Sequence, residues 1–260
     1  MISLLEAVIL GVTQGVLEWF PVSSQGNLVL IMILLFGLEP SGTLGYSVYL
    51  HIGTGFAALI YFRDKIRDIL LRKTEIDKKL FNYLLVSTLL TGLLGFPLYR
   101  FAETTLFMGE SILAVTGTAL IVTGFIQRHE KDVSIKDPST LSNKHGLLMG
   151  VIQAFTALPG VSRSGLTTSV LLILGFSAES SLEVSFLMSI PTVLAAGIGL
   201  SITKRLSYVS AELIIGILTS FLTAYITIDT FLRLAKRLNF WKICVLLGVI
   251  ALTNIIPYLL

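Results

Sequence analysis

Residues 14–27 read Gln-Gly-Val-Leu-Glu-Trp-Phe-Pro-Val-Ser-Ser-Gln-Gly-Asn, a polar, Pro- and Gly-broken run inside an otherwise apolar stretch that extends from residue 2 to residue 37. As one straight helix that stretch would be about 54 Å long, against a bilayer hydrocarbon core of about 30 Å. It must therefore bend at its polar centre into two short helices. Non-helical backbone at membrane depth is tolerated only where protein covers it or it lines a wet cavity. A re-entrant hairpin facing such a cavity meets that condition; two crossing helices joined by a polar turn are the alternative.

A second stretch, 145–177, is broken in the same way. Gly11-Val12-Thr13-Gln14 aligns with Gly150-Val151-Ile152-Gln153. Phe20-Pro21-Val22-Ser23-Ser24-Gln25-Gly26 aligns with Leu158-Pro159-Gly160-Val161-Ser162-Arg163-Ser164-Gly165, which carries one extra glycine. The shared Pro-Val-Ser core points to an internal repeat, 1–127 against 145–260, with a linker at 128–144. The chain then forms a single membrane domain over 1–260.

Composition agrees. Hydrophobic residues make up 54% of the chain and charged residues 13%, and the mean hydropathy is +0.86. An ordinary soluble domain carries roughly 25% charged residues, so a water-soluble globule is excluded. Further apolar stretches near 44–62, 80–100, 107–127, 182–202, 208–232 and 240–259 each approach the roughly 20 residues of a membrane span. The expected fold is thus an all-α polytopic membrane protein with about six transmembrane helices plus two re-entrant helical hairpins. Net charge is only +3, which gives no reason to expect nucleic acid as a partner. The lone Cys244 excludes an internal disulfide and a cysteine-based metal site. The opening MISLLEAVILG has no basic segment and carries Glu6, so no cleaved signal peptide is expected.

Three crossings between the hairpins would place them on opposite sides of the membrane, an inverted-topology repeat. The basic residues fit this. Of the 19 Lys and Arg, all but Arg100, Arg163, Lys204 and Arg205 fall in Arg63–Lys79, Arg128–Lys144 and Arg233–Lys242, which the arrangement puts on one side. The positive-inside rule makes that side cytoplasmic and both termini external.

Two charges lie at membrane depth, where an ionisable side chain is costly and a functional candidate by default. Gln14 and Glu18 are four apart and share a helix face; a carboxylate with an amide beside it suits a Mg²⁺ ion that completes its shell with water and phosphate oxygens, or an acid/base role. Arg163, between Ser162 and Ser164 in PGVSRSGLTT, suits a phosphate, which Arg grips bidentately. Thr167 and Thr168 begin the helix that follows, whose free N–H groups favour an anion, and Gly26, Gly160 and Gly165 expose backbone amides nearby. The plain alternative is that Arg163 and Glu18 are structural partners across the two hairpins. Ser23, Ser24 and Asn27 form the first polar tip, where a serine nucleophile would need a base in reach. His51, in LHIGT, could contribute to the site or simply pack. The corresponding LMSIPT offers Ser189 as a possible lining hydroxyl. His129 and His145 read as solvated linker residues, and Trp19 and Trp241 as interfacial anchors or packing residues.

At these motifs the chain resembles the undecaprenyl pyrophosphate phosphatase family, the bacitracin-resistance membrane phosphatases. The resemblance covers nearly the whole chain and is carried by QGVLEWFPVSSQGN (14–27) and PGVSRSGLTT (159–168), with weaker support from LHIGT and SFLMSIPT. It implies hydrolysis of a C55 polyprenyl diphosphate to monophosphate and phosphate, recycling a lipid carrier of cell-envelope glycan synthesis. It also implies an active site open to the outer face of the plasma membrane, Mg²⁺ or Ca²⁺, and a possible homodimer. By position, Gln14 and Glu18 correspond to the metal-associated pair and Ser24 to the nucleophile. Ser162, Arg163, Ser164 and Thr167 correspond to the pyrophosphate grip. The family pattern PVSS-x-G-His departs here to PVSSQGN. Asn27 cannot take a proton, so either Glu18 or the metal activates Ser24, or water attacks directly, or activity is reduced. A different class is also compatible with inverted repeats and broken helices: a polyprenyl-phosphate flippase that moves its cargo without hydrolysis.

Overall fold

The computed structural model describes residues 2–20, 22–40, 42–106, 111–128, 136, 138–203, 210–234 and 240–253. Pro21, residues 129–135 and 137 of the linker (His129 among them), Lys204, Arg205 and the side chains of Trp241 and Cys244 lie outside the described residues.

Each broken stretch forms two short helices about a turn. In the first, α1 (Leu4–Leu17) starts on a capping box in which Ser3 and Glu6 satisfy each other's backbone N–H groups. It ends at Glu18, and α2 (Ser24–Leu30) follows, prolonged by a π-helical turn over Ile31–Leu35. At 14 residues α1 is about 21 Å long, shorter than the hydrocarbon core. Between the two broken stretches come α3 (Thr43–Tyr61), α4 (Arg63–Leu71), α5 (Glu75–Phe101) and α6 (Ser111–Arg128). The second stretch gives α7 (Asn143–Ala154) and α8 (Arg163–Ile173), followed by α9 (Ala178–Thr203), α10 (Ala211–Leu234) and α11 (Phe240–Thr253).

Where described, the six expected spans are helical, and among the described residues α3, α5, α9 and α10 are long and apolar enough to cross a membrane by length and composition. Their outward faces carry exposed Leu89, Leu93, Ile202 and Ile226, side chains that suit lipid and not water. The protein is an all-helical, membrane-integral chain.

The hairpin helices are exchanged between the halves. Helix α1 packs along α10, and α7 packs along α5. Both do so through a Gly-x-x-x-Gly face, the small-residue spacing that lets membrane helices approach backbone to backbone. A Cβ on Gly11 would stand 2.5 Å from the Gly216 carbonyl oxygen, and one on Gly150 would stand 2.9 Å from that of Ser87. Helices α6 and α11 meet similarly, at Gly117 and Gly248. A Gly117→Leu substitution would drive a side chain into the Gly248 carbonyl, 2.9 Å from the added Cβ. It should cost about 1–3 kcal/mol, read as earlier thermal unfolding in detergent; Gly92→Leu, whose Cβ meets nothing within 4 Å, should leave unfolding unchanged.

Trp19 packs and does not anchor at an interface: it is buried, edge-on to Phe186 with ring centroids 5.3 Å apart. His145 is also not the solvated residue expected from its charged surroundings. The first turn of α7 lays it edge-on against Phe176, at 5.7 Å.

Candidate active site

The two hairpin tips meet glycine to glycine. A Cβ on Gly26 would stand 3.0 Å from both Cα and N of Gly160. Gly160 itself turns through a positive φ of 90° against the Thr116 carbonyl, where a side chain has neither the conformation nor the room. This junction brings Glu18, from the end of α1, opposite Arg163, from the start of α8.

The first tip is held in a left-handed turn. Ser23 has φ 58° and ψ 80°, caps α2, and accepts the Gly26 N–H through its hydroxyl at 3.2 Å. The Asn27 amide donates to the Val22 carbonyl at 2.8 Å and to that of Ser23 at 3.0 Å. Asn27 thereby clamps the turn. Its two hydrogen bonds hold the strained Ser23 backbone, so that Ser24 faces back toward Glu18.

Glu18 is the hub. One carboxylate oxygen accepts from the Ser24 hydroxyl at 2.9 Å and from the Gln14 amide at 2.9 Å, with His51 Nε2 at 3.3 Å. The other oxygen pairs with Arg163. The carboxylate is 6% exposed, so Arg163, 13% exposed at its side chain, is the countercharge that makes its burial tolerable. Arg163 also donates to the Ser185 carbonyl at 3.2 Å.

His51 reaches the same point from the middle of α3. Its Nδ1 lies 2.7 Å from the Ser47 carbonyl. A carbonyl only accepts, so Nδ1 carries a proton. In the neutral ring Nε2 is then an acceptor, 3.2 Å from Ser24 Oγ. The hairpin tip lacks a histidine, and α3 presents one to the same serine.

In the second tip most of the expected grip residues build the turn. Ser162 caps α8 by accepting the Gly165 N–H at 3.1 Å, Ser164 donates to the Phe20 carbonyl at 3.0 Å, and Thr167 pairs with Ser185 at 2.6 Å. The Ser164 bond ties one tip to the other. Ser189 is not in the site: its hydroxyl donates within α9, to the Phe186 carbonyl at 2.7 Å. Sequence reasoning missed Ser185, which anchors both Arg163 and Thr167; one serine within an apolar helix carries no signal of what it faces. A cavity of about 260 Å³ is lined by Glu18, Ser24, His51, Arg163, Ser162 and Ser164, and extends between α5 and α9.

The second broken stretch carries a similar but incomplete cluster. Gln14 donates to Thr54 at 3.4 Å, and its counterpart Gln153 donates to Thr192 at 2.8 Å and Thr91 at 3.2 Å. One turn on, where the first copy has Glu18, the second has Ala157. Only the first amide therefore has a carboxylate beside it.

Among the described residues no three His, Cys, Asp or Glu side chains cluster as a metal cage. The buried Gln14 Oε1, however, has no hydrogen-bond partner. A neutral oxygen left open beside a carboxylate is a donor set that suits Mg²⁺ or Ca²⁺, provided substrate and water complete the shell.

The family model described as bacitracin resistance protein BacA matches residues 7–251. Similar proteins include an undecaprenyl-diphosphatase of Methanococcoides burtonii, 40% identical over 96% of this chain and 98% of that one. Others are the undecaprenyl-diphosphatases of Methanothrix thermoacetophila, 38% identical over 95% of each chain, and of Haloarcula marismortui, 33% identical over 95% of this chain and 96% of the relative. With the match running through both hairpins and every span between them, the chain belongs to the bacitracin resistance protein BacA family.

Proposed function

We propose that this protein is an integral membrane phosphatase that hydrolyses undecaprenyl, or more generally polyprenyl, diphosphate to the monophosphate and inorganic phosphate, returning the lipid carrier to cell-envelope glycan synthesis. One observation carries the reading. The Ser24 hydroxyl lies between a carboxylate and an imidazole, at a junction that also holds a buried guanidinium, in a chain whose relatives are undecaprenyl-diphosphatases.

Arg163 leaves Glu18 for the terminal phosphate, joined by the backbone N–H groups that open α8. Ser24 Oγ attacks the terminal phosphorus, the bond from that phosphorus to the bridging oxygen breaks, and the prenyl monophosphate departs. The serine proton passes to His51 Nε2, whose other nitrogen is fixed by Ser47, and Glu18 stabilises the resulting imidazolium. His51 passes that proton to the departing monophosphate; water then cleaves the phosphoserine, with His51 taking the water's proton and returning it to Ser24 Oγ as inorganic phosphate is released. Phosphoryl transfer asks mainly for positioning and charge neutralisation, and the two tips supply both. Glu18 and Gln14 Oε1 would hold a divalent cation, which supplies further neutralisation of the phosphate oxygens when bound. Ser24→Ala should lower turnover by about three orders of magnitude and abolish a trappable phosphoenzyme; near-normal release would instead point to direct attack by water. Chelation should depress phosphate release by purified protein, with Mg²⁺ or Ca²⁺ restoring it. Activity indifferent to chelator would remove the cation from the account.

The exchanged packing of α1 on α10 and α7 on α5 supports an inverted repeat, with halves 1–127 and 145–260 about the 128–144 linker and both hairpins re-entrant. Together with the positive-inside count, this reading places the termini and the cavity mouth on the outer side, where the product phosphate would be released. A homodimer is an expectation of the family. The same architecture suits a flippase that binds the headgroup through Arg163 without cleaving it; phosphate release separates the two.

A further inference from the structure

The cavity continues well beyond the groups that the hydrolysis uses. Its far part runs between α5 and α9, with Thr88, Thr91 and Thr192 near the middle of the two helices and Phe96, Tyr99 and Leu200 toward their C-terminal ends. The walls thus grade from polar near Gln153 to apolar at the other end. Gln153 is 1% exposed, and its amide donates to Thr91 and Thr192 on the two helices.

The two halves differ at this place. Helix α9 stands to α5 as α3 stands to α10, because α7 packs on α5 as α1 does on α10. Between α3 and α10 the approach is closed: a Cβ on Gly53 would stand 2.4 Å from the Ile217 carbonyl oxygen and 2.8 Å from the Phe221 nitrogen. Between α5 and α9 it is open. A Cβ on Gly92 or on Gly199, both of which line the cavity, meets nothing within 4 Å, and Phe96 at the same gap is 52% exposed. Close helix contact that one half makes is withheld in the other, beside Gln153, whose cluster has Ala157 where the first has Glu18, and in the same cavity that Glu18 lines.

We infer that the gap between the C-terminal halves of α5 and α9 is the lateral portal for the substrate's prenyl chain, with Gly92 and Gly199 leaving the room its first isoprene units occupy. The inference rests on the functional reading for the identity of the lipid. An amphipathic ligand whose diphosphate lies on Arg163 has on this side a continuous, increasingly apolar path toward the bilayer. Small residues there keep the path open for a chain of methyl-branched units, whereas the matching interface at Gly53 admits no chain.

The test is photolabelling of the full-length protein in detergent, with a polyprenyl diphosphate that carries a photoreactive group on its first isoprene unit. Labelled peptides should come from 92–99 of α5 and 195–200 of α9. Gly92→Leu and Gly199→Leu should weaken the label and lower turnover of the C55 diphosphate by about tenfold or more without earlier unfolding. Labelling confined to α1, α6, α10 or α11, or Leu variants with unchanged label and turnover, would overturn the portal. Label on α5 and α9 with no phosphate released would keep the portal and sink the hydrolysis; phosphate release with label elsewhere would do the reverse.

Discussion

Replacing Arg163 by Ala is expected to lower phosphate release by about a thousandfold or more, the scale on which an arginine acts on a transferring phosphoryl group. The guanidinium is paired with Glu18 and anchored on Ser185, so it is held at the hairpin junction before any substrate arrives. Its removal also has a structural consequence. Glu18 would keep a charge at 6% exposure with only neutral donors and His51 around it, and stranding one partner of a buried ion pair costs on the order of 3–5 kcal/mol. The Arg163→Ala protein should therefore fold but unfold at a lower temperature. Adding Glu18→Gln should recover stability and not turnover. Arg163→Lys keeps the charge and loses the planar fork, so it should fall between the two in activity. Phosphate release and thermal unfolding, measured on the same preparations, separate the catalytic loss from the structural one. An Arg163→Ala protein with near-normal turnover would remove the residue from the chemistry.

His51→Gln should lower kcat by about two to four orders of magnitude, the usual contribution of a general base, with a smaller change in KM. A second change makes the prediction specific. Asn27 occupies the position where the family pattern places a histidine, and here it clamps Val22 and Ser23. Asn27→His removes both bonds that hold the turn, so in the His51→Gln background it should lower kcat further and not restore it. Full activity in His51→Gln alone would return the proton-acceptor role to Glu18.

The hairpins were legible because Pro, Gly and Ser interrupt runs too long for one span, and the pairing of Glu18 with Arg163 was foreseen because two charges at membrane depth need each other. The Gly-x-x-x-Gly faces at 11–15 and 146–150 were present in the letters too. Nothing local in the letters says that α10 and α5 receive them, since that choice depends on contacts some 60 to 200 residues away in sequence. The same limit hid the division of labour at the tips. Asn27 was read by what its side chain cannot do, accept a proton, while its actual work is backbone geometry at a left-handed Ser23. His51 was read as an isolated histidine on an apolar helix, because a helical sequence does not reveal which neighbour faces the imidazole. Ser162, Ser164 and Thr167 were assigned to a phosphate grip by the family resemblance; in space their hydroxyls also hydrogen-bond within and between the two tips, which sequence does not reveal.

The central claim is that the junction of the two hairpins breaks a phosphoanhydride bond and does not merely bind a lipid headgroup. It is tested most directly by incubating the purified protein in detergent with undecaprenyl diphosphate and measuring both products. The account predicts one inorganic phosphate and one undecaprenyl monophosphate for each diphosphate consumed, with both lost together in the Arg163→Ala protein. Binding of the diphosphate, or its movement across a vesicle membrane, with no phosphate released would contradict it and identify the protein as a carrier.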